Sequence, residues 1–225
     1  MKNKVFPILY RLLFLVIVQL TTVIYGVINK YAGNAHILST HIDSLIPFEK
    51  VFIVPYLSWP FYFISALIYL AIFDAKNYFR LLISSVSGKV VCFVIYLTYT
   101  TTVPRPEVVG NDIFARLVRM TYSKDNPYNC FPSIHVLCAL LTCMFLFKHS
   151  KRISIRIYAT TMCVLIILST MFVKQHYSPD VIAALILGVF LYRLVTNESL
   201  QNKQWAGYIK AFLMPARLKN NNINY

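Results

Sequence analysis

One histidine and one aspartate stand four residues apart in a short polar segment of an otherwise apolar chain. They are His176 and Asp180, and across the first turn of a helix this spacing lets the carboxylate approach the imidazole. Such a carboxylate selects the ring tautomer and makes the other ring nitrogen more basic. Pro179 suits the first helical position, with Ser178 as the cap. The segment therefore predicts a nucleophilic or basic histidine beside a helix N-terminus.

Two further polar segments carry groups that suit phosphate chemistry. One contains Ser133 and His135 just after Pro132, which predicts the start of a helix, and the other contains Arg105. The free N–H groups at helix N-termini attract anions. Two such N-termini, together with Arg105 and Lys174, are able to surround one phosphate. Taken singly, each residue also has a structural explanation, since arginine anchors lipid headgroups, lysine snorkels and a Pro-Ser pair starts a helix.

The composition indicates the kind of protein that must position these groups. Of 225 residues, 58% are hydrophobic and 13% are charged, and the mean hydropathy is +0.60. A soluble domain has about 45–50% apolar and about 25% charged residues. The composition therefore predicts an integral membrane protein and excludes a soluble or disordered chain. Basic residues in cytoplasmic loops explain the net charge of +14, so no nucleic-acid partner is expected.

Six apolar stretches approach the length of about 20 residues that a membrane-spanning helix requires. They cover residues 8–28, 52–73, 79–103, 131–148, 155–173 and 179–196. The fold prediction is an all-α integral membrane bundle of six transmembrane helices, formed as one catalytic domain by residues 1–200. The first stretch is long and lacks a clear cleavage site, so we expect a retained span and not a signal peptide. Residues 201–225 are expected to form a cytoplasmic interfacial helix and a disordered tail.

The distribution of charge orients the predicted bundle. With both termini in the cytoplasm, most lysines and arginines fall on the cytoplasmic side. Counting spans then places all three polar segments on the opposite, extracytoplasmic side, where they can form one site. Ionisable groups at membrane depth are costly and are functional candidates by default. Near this surface, residues 111–122 predict a short amphipathic helix with Ile113, Leu117 and Met120 on its apolar face.

The three polar segments together resemble the motifs of the type 2 phosphatidic acid phosphatase family. The matching positions, in chain order, are Arg105-Pro106, then Pro132-Ser133-Ile134-His135 with Ile in place of Gly, then Ser169, His176 and Asp180. The six-span arrangement also fits, so the resemblance covers residues 45–196 by motif and topology.

Three positions depart from the family's motifs. The lysine of the first motif falls at Thr98, the arginine of the third motif falls at Thr170, and a glycine often found after the aspartate falls at Ala184. Two phosphate-binding cations are therefore missing from their usual places. Lys174 lies four residues after Thr170 on the same helix face, and we expect it to compensate.

The resemblance implies a two-step displacement. His176 attacks phosphorus and becomes a phosphohistidine, Asp180 orients it, and His135 protonates the leaving alkoxide and then activates the incoming water. The resemblance implies no metal and no other cofactor. The expected phosphate-binding residues are Arg105, Ser133 and Lys174.

The expected function is hydrolysis of a lipid phosphate, a phosphomonoester or a diphosphate, at a plasma membrane that we expect to be bacterial. One alternative is a lipid phosphotransferase, since the Pro-Ser-x-His and Lys-Gln-His-Tyr patterns also resemble inositol phosphorylceramide synthases, which pass a phosphoryl headgroup to an alcohol. A second alternative is a non-catalytic membrane protein of the same fold, because two cations are missing. The sequence leaves the particular lipid and the oligomeric state open.

Overall fold

The structure is a computed structural model that describes residues 2–30 and 34–197. The helices of this part are α1 (Lys2–Leu13), α2 (Leu15–Ile28), α3 (His41–Leu45), α4 (Ile53–Phe73), α5 (Ala75–Thr98), α6 (Ile113–Lys124), α7 (Ile134–His149), α8 (Ile153–Phe172) and α9 (Ser178–Thr196). A 3₁₀ turn, Lys50–Phe52, leads into α4. The predicted interfacial helix and tail at 201–225 lie outside the described residues.

The prediction of an all-α membrane bundle is confirmed. In the described part, five segments are long and apolar enough to cross a membrane: Phe6–Ile28, Lys50–Phe73, Ala75–Thr98, Ile153–Phe172 and Ser178–Thr196. The shorter apolar helix α7, fourth in chain order, completes the six-span bundle. The first span consists of α1 and α2, which follow each other with a break at Phe14.

The third span departs from its predicted bounds of 79–103. The helix α5 starts four residues earlier, where the Asp74 side chain caps its first turn. It ends at Thr98, because the β-branched run 100–103 precedes Pro104 and favours an extended chain. The chain after α5 is therefore free to run across the end of the bundle.

The helix α7 lies at the centre of the bundle, packed against α4, α5, α8 and α9. Leu137, Leu141 and Phe145, spread along this apolar helix, are fully buried. A helix that is apolar on all sides has to be surrounded by other helices. The hydroxyl of Ser133 caps α7 by accepting a hydrogen bond from the Val136 N–H at 3.3 Å. We call this end of the bundle, where α5 ends and α7 and α9 begin, the site end.

A close approach between α5 and its neighbours occurs at Gly88. A Cβ atom at this position would lie 2.6 Å from Cδ2 of Leu137 on α7 and 2.9 Å from Cδ1 of Leu191 on α9. One turn before it, Ser84 and Ser85 are buried, and their hydroxyls donate to carbonyls of the same helix. The small residues that interrupt the apolar pattern of this stretch thus allow the helices to pack closely.

The helix α6 confirms the predicted short helix, and it starts and ends two residues later than the predicted segment 111–122. Val118 and Thr121 are buried and Leu117 is half-buried, whereas Ile113 is 60% exposed and Met120 is 41% exposed. Val118 packs in a cluster with the start of α4 and the residue after α8. This tertiary contact selects the buried face, and the periodicity of one short segment does not contain it.

Asp43 fastens the short helix α3 to the start of α9. Its carboxylate accepts hydrogen bonds from the N–H and hydroxyl of Thr40 at 2.7 and 2.9 Å. It also accepts from the N–H and hydroxyl of Ser178 at 2.7 and 2.9 Å. Burial raises the pKa of Asp43, but these hydrogen bonds outweigh burial and hold the pKa below its ordinary value. The ionised carboxylate therefore stabilises the first turn of α9.

We expect Asp43→Asn to lower the free energy of unfolding by about 2 kcal/mol at pH 7, because charge-assisted hydrogen bonds to Thr40 and Ser178 are lost. The pKa is lower in the folded state than in the unfolded state. This stabilisation is therefore present above about pH 4 and is lost as the pH falls through the folded-state pKa. Unfolding of both proteins in detergent micelles, followed from pH 7 downwards, measures the difference. Equal stability at pH 7, or a difference that grows as the pH falls, would contradict the assignment.

Candidate active site

The turn between α8 and α9 carries the third polar segment. The helix α8 ends in a Schellman motif, in which the N–H of Lys174 donates to the Met171 carbonyl at 3.1 Å and that of Gln175 to the Thr170 carbonyl at 3.0 Å. Lys174 has the left-handed conformation that this motif requires, with a φ of 51°. The N–H of His176 also donates to Thr170 at 3.0 Å. The turn therefore folds Gln175 and His176 back over the end of α8.

His176 and Asp180 meet at the start of α9. The Nδ1 atom of His176 lies 3.3 Å from Oδ2 of Asp180, and the same oxygen accepts a hydrogen bond from the Tyr177 N–H at 2.9 Å. Both side chains are almost fully buried. The carbonyl of Asp180 accepts a hydrogen bond from the Ser133 N–H at 3.2 Å, which ties this segment to the start of α7. With Nδ1 engaged, Nε2 is the ring nitrogen that is left to react.

His135 lies among aromatic rings in the first turn of α7. Its ring centre is 4.8 Å from that of Tyr56 and 5.0 Å from that of Trp59, both on α4. The ring centre of His176 is 5.7 Å away. The structure thus brings the histidines of the second and third polar segments together.

Both histidines line one cavity of about 540 Å³, which we call the histidine cavity. Residues of α2, α4, α5 and α7 contribute to its lining, as does the connection between α6 and α7. Its aromatic lining includes Tyr25, Tyr56, Trp59, Phe93 and Tyr96. A concave, mainly apolar space with a few convergent polar groups is typical of a ligand site.

Arg105, from the first polar segment, reaches this site through Gln175. Its guanidinium donates to the carbonyls of Tyr122 and Asp125 at 3.0 and 2.6 Å. Its Nη2 atom donates to Oε1 of Gln175 at 2.8 Å. Its Nε atom is buried and has no acceptor within the described part of the chain. Arg105 therefore fixes the amide of Gln175 and keeps one donor unused.

Gln175, which was not predicted from the sequence, lines the histidine cavity and is 4% exposed. Because Arg105 donates to Oε1, the NH₂ group of the amide points away from Arg105. Its Nε2 atom has no acceptor among the described residues. A buried donor without an acceptor is costly. The arrangement therefore suits a ligand acceptor such as a phosphate oxygen. The one signal for this residue in the sequence is its place directly before His176.

Lys174 is not among the residues that line the histidine cavity. Its ammonium group donates to the carbonyls of Asp43 and Ile46, beside a second cavity of about 420 Å³ that Arg105 also lines. Burial lowers the pKa of Lys174, and the nearby Asp43 carboxylate opposes this shift. The expectation that Lys174 shares a helix face with Thr170 is wrong, because α8 ends at Phe172 and Lys174 lies in the turn after it. The expected role of Lys174 as a phosphate ligand stays a prediction.

The three positions that depart from the family motifs have no direct part in the histidine cavity. Thr98 is exposed, Thr170 is fully buried, and the hydroxyls of both donate to carbonyls of their own helices. Ala184 is fully buried. A cation that the sequence analysis did not single out, Lys89 on α5, lines the cavity instead and is 3% exposed. Its signal in the sequence is a basic residue inside an apolar stretch.

Asp125, which was not predicted from the sequence, is the one carboxylate among the described residues that line the histidine cavity. It accepts hydrogen bonds from the Tyr25 hydroxyl at 2.9 Å and the Asn29 amide at 2.7 Å, so it fastens α2 to the loop after α6. Burial raises the pKa of Asp125 above its ordinary value, although the bond from Tyr25 and the charge of Arg105 oppose this. Across 2–30 and 34–197, no three His, Cys, Asp or Glu side chains come together as metal ligands.

The fold and the site define a class of protein: an integral membrane helix bundle with two neighbouring histidines at one end, one of them backed by an aspartate. The family model described as the PAP2 superfamily matches residues 34–194. The chain therefore belongs to the PAP2 superfamily, whose members are generally phosphatases or phosphotransferases. Membership supports a phosphatase-type function on lipid phosphates. No curated protein and no solved structure matches the chain.

We expect Lys174→Gly to be more stable than Lys174→Ala by about 1 kcal/mol, because only glycine adopts the positive φ at this position without strain. Unfolding midpoints of the two variants in the same detergent measure this difference. Both variants lack the ammonium group, so they also test its expected role in phosphate binding. An equal loss of activity in both, measured where both are folded, supports that role. Full activity in the glycine variant would contradict it.

Proposed function

We propose that this protein is a membrane lipid phosphatase that hydrolyses a phosphomonoester or a diphosphate through a phosphohistidine intermediate. The observation that supports the proposal most strongly is the histidine pair. His135 and His176 line one cavity, their ring centres are 5.7 Å apart, and Asp180 holds Nδ1 of His176. A nucleophile beside an acid–base group, with a third group that orients it, is the general arrangement of nucleophilic catalysis.

In the first step, Nε2 of His176 attacks the phosphorus atom. A P–N bond forms while the bond from phosphorus to the leaving oxygen of the lipid breaks. His135 gives its proton to that oxygen, so that the lipid leaves as an alcohol or, from a diphosphate, as a monophosphate. The carboxylate of Asp180 stabilises the positive charge that His176 acquires.

In the second step, His135 removes a proton from water and the water oxygen attacks phosphorus. The P–N bond breaks, inorganic phosphate leaves, and the bonding pair returns to Nε2 of His176. The imidazole that served as acid in the first step thus serves as base in the second.

The charge on the phosphate oxygens needs fixed donors. We retain Arg105, Ser133 and Lys174 as phosphate-binding residues and add Gln175, whose Nε2 atom has no acceptor in the described part of the protein. Arg105 acts on the cavity through Gln175, and Ser133 sets the first turn of α7 and its free N–H groups. Because fixed donors supply the electrostatic stabilisation, we propose that the reaction is metal-independent.

We propose that the site end faces the extracytoplasmic side of a plasma membrane, with both termini in the cytoplasm. The support for this orientation is the excess of basic residues in the loops and termini at the other end.

A lipid phosphotransferase is the second candidate. It shares the first step, and an alcohol takes the place of water in the second. The observation that favours it is the size of the histidine cavity, about 540 Å³, which leaves room for an acceptor beside a phosphate.

We expect His176→Asn to lower phosphate release from lipid phosphates in detergent by at least about 1000-fold, since it removes the nucleophile. Release by the wild type should persist in EDTA. His41→Asn is the matched control, because His41 is an exposed histidine of α3 at the same end. Phosphate release that survives His176→Asn, or that EDTA abolishes, would contradict the mechanism. A new phosphodiester formed only when an alcohol is added would favour the phosphotransferase.

We expect Gln175→Glu to lower kcat/KM by about 100-fold and Gln175→Met by about 10-fold, because the first places a carboxylate where phosphate oxygens need donors and the second only removes donors. Inhibition by vanadate, a phosphate mimic, should weaken in the same order. A purely structural role for Gln175 predicts instead that both variants lose activity in proportion to their loss of stability.

A further inference from the structure

Lys89 is a cation buried in the middle of a membrane span. It lies nine residues before the end of α5 and is 3% exposed. Its Nζ atom donates to the Thr21 hydroxyl of α2 at 3.0 Å and lies 5.6 Å from the ring centre of Phe63 on α4. Within the described residues, no carboxylate lies within 4.0 Å of it. A charged group at this depth is expensive and normally faces a partner or a cavity that holds one.

The cavity that Lys89 faces is the histidine cavity. On α4, the ring of Trp59 packs against His135, and Phe63 lies one helical turn deeper, toward the middle of the bundle. Since Nζ of Lys89 lies near the Phe63 ring, we place the ammonium group deeper in the bundle than the imidazole of His135. The histidine cavity therefore extends from His135 toward the middle of the bundle. The body of a lipid substrate would lie on that side of the cavity.

The charges around the histidine cavity favour an anion. Three lysines line it, Lys30, Lys89 and Lys124, against the single described carboxylate of Asp125. Asp125 already accepts hydrogen bonds from Tyr25 of α2 and from Asn29, the residue that follows α2. An ammonium group has three N–H donors, and Thr21 accepts one of them. The remaining donors of Lys89, in a region of low dielectric, suit the oxygens of a phosphate.

We propose that Lys89 binds a second, non-scissile phosphate that lies between the scissile phosphate and the lipid body. The substrate class is then a lipid with two phosphates, either a diphosphate or a terminal phosphomonoester joined through a phosphodiester. This inference rests on the proposed reaction at His176 and adds the substrate class to it. Thr21 precedes the residues matched by the family model, 34–194, so the site draws on a helix outside that match.

Two pairs of substrates test the proposal. The two lipids of a pair have the same lipid body and differ in carrying two phosphates or one. The pairs are a polyprenyl diphosphate with its monophosphate, and phosphatidylglycerol phosphate with phosphatidic acid. The enzymes are the wild type, Lys89→Met, which keeps the length of the side chain without its charge, and Lys89→Arg, which keeps the charge. The control is Lys76→Met, at an exposed lysine near the opposite end of the same helix. Thermal unfolding in the same detergent verifies that each variant is folded.

We expect Lys89→Met to lower kcat/KM for the two-phosphate lipids by about 30-fold and that for the one-phosphate lipids by less than about 3-fold. Lys89→Arg should restore most of the difference, and Lys76→Met should behave as the wild type. An equal loss on both kinds of lipid would overturn the proposal and assign Lys89 to the scissile phosphate. No loss on either would also overturn it while the wild type remains an active phosphatase. If the wild type releases phosphate from none of the four lipids, the proposed function falls and this inference with it.

Discussion

The site depends on the contacts of one residue, Asp180. Its carboxylate holds Nδ1 of His176 and the N–H of Tyr177, and its carbonyl accepts the N–H of Ser133. Asp180 is 1% exposed, so water cannot replace a lost partner and all of these bonds are needed at once. They join the start of α9 to the start of α7. Because His135 follows Ser133 by two residues, the same contacts help to set the distance between the two imidazoles.

Hydrogen bonds from two cationic side chains to backbone carbonyls also fix the geometry of the site. The guanidinium of Arg105 donates to carbonyls at the end of α6, and the ammonium of Lys174 donates to carbonyls at the end of α3, so both cations stabilise the ends of short helices. Arg105 then orients Gln175, whose NH₂ group carries the donor function into the histidine cavity. Lys89 enters the same cavity from the middle of α5. Charge is thus distributed over a fixed scaffold, so the proposed phosphate would bind with little reorganisation.

The secondary structure was largely predictable, because long apolar stretches and helix caps are local signals. The six spans and the short helix α6 follow from them. The sequence was a poorer guide where a tertiary contact or a competing local preference sets the end of a helix or the face that it buries. The helix α5 ends earlier than its apolar pattern because the chain before Pro104 prefers an extended form. The helix α6 buries Val118 because it packs against the start of α4, and its local pattern does not specify this contact.

For the site, the sequence by itself determined the pair His176 and Asp180, since their contact lies within one helical turn, and span parity predicted that His135 would lie at the same end of the bundle. Only the tertiary structure decided which donors face the histidines. The direction of the Gln175 amide depends on its hydrogen bond with Arg105. The position of the Lys89 ammonium group depends on the space between α2, α4 and α5. Such placements arise from packing between segments far apart in the chain, and the spacing of residues within one segment does not encode them.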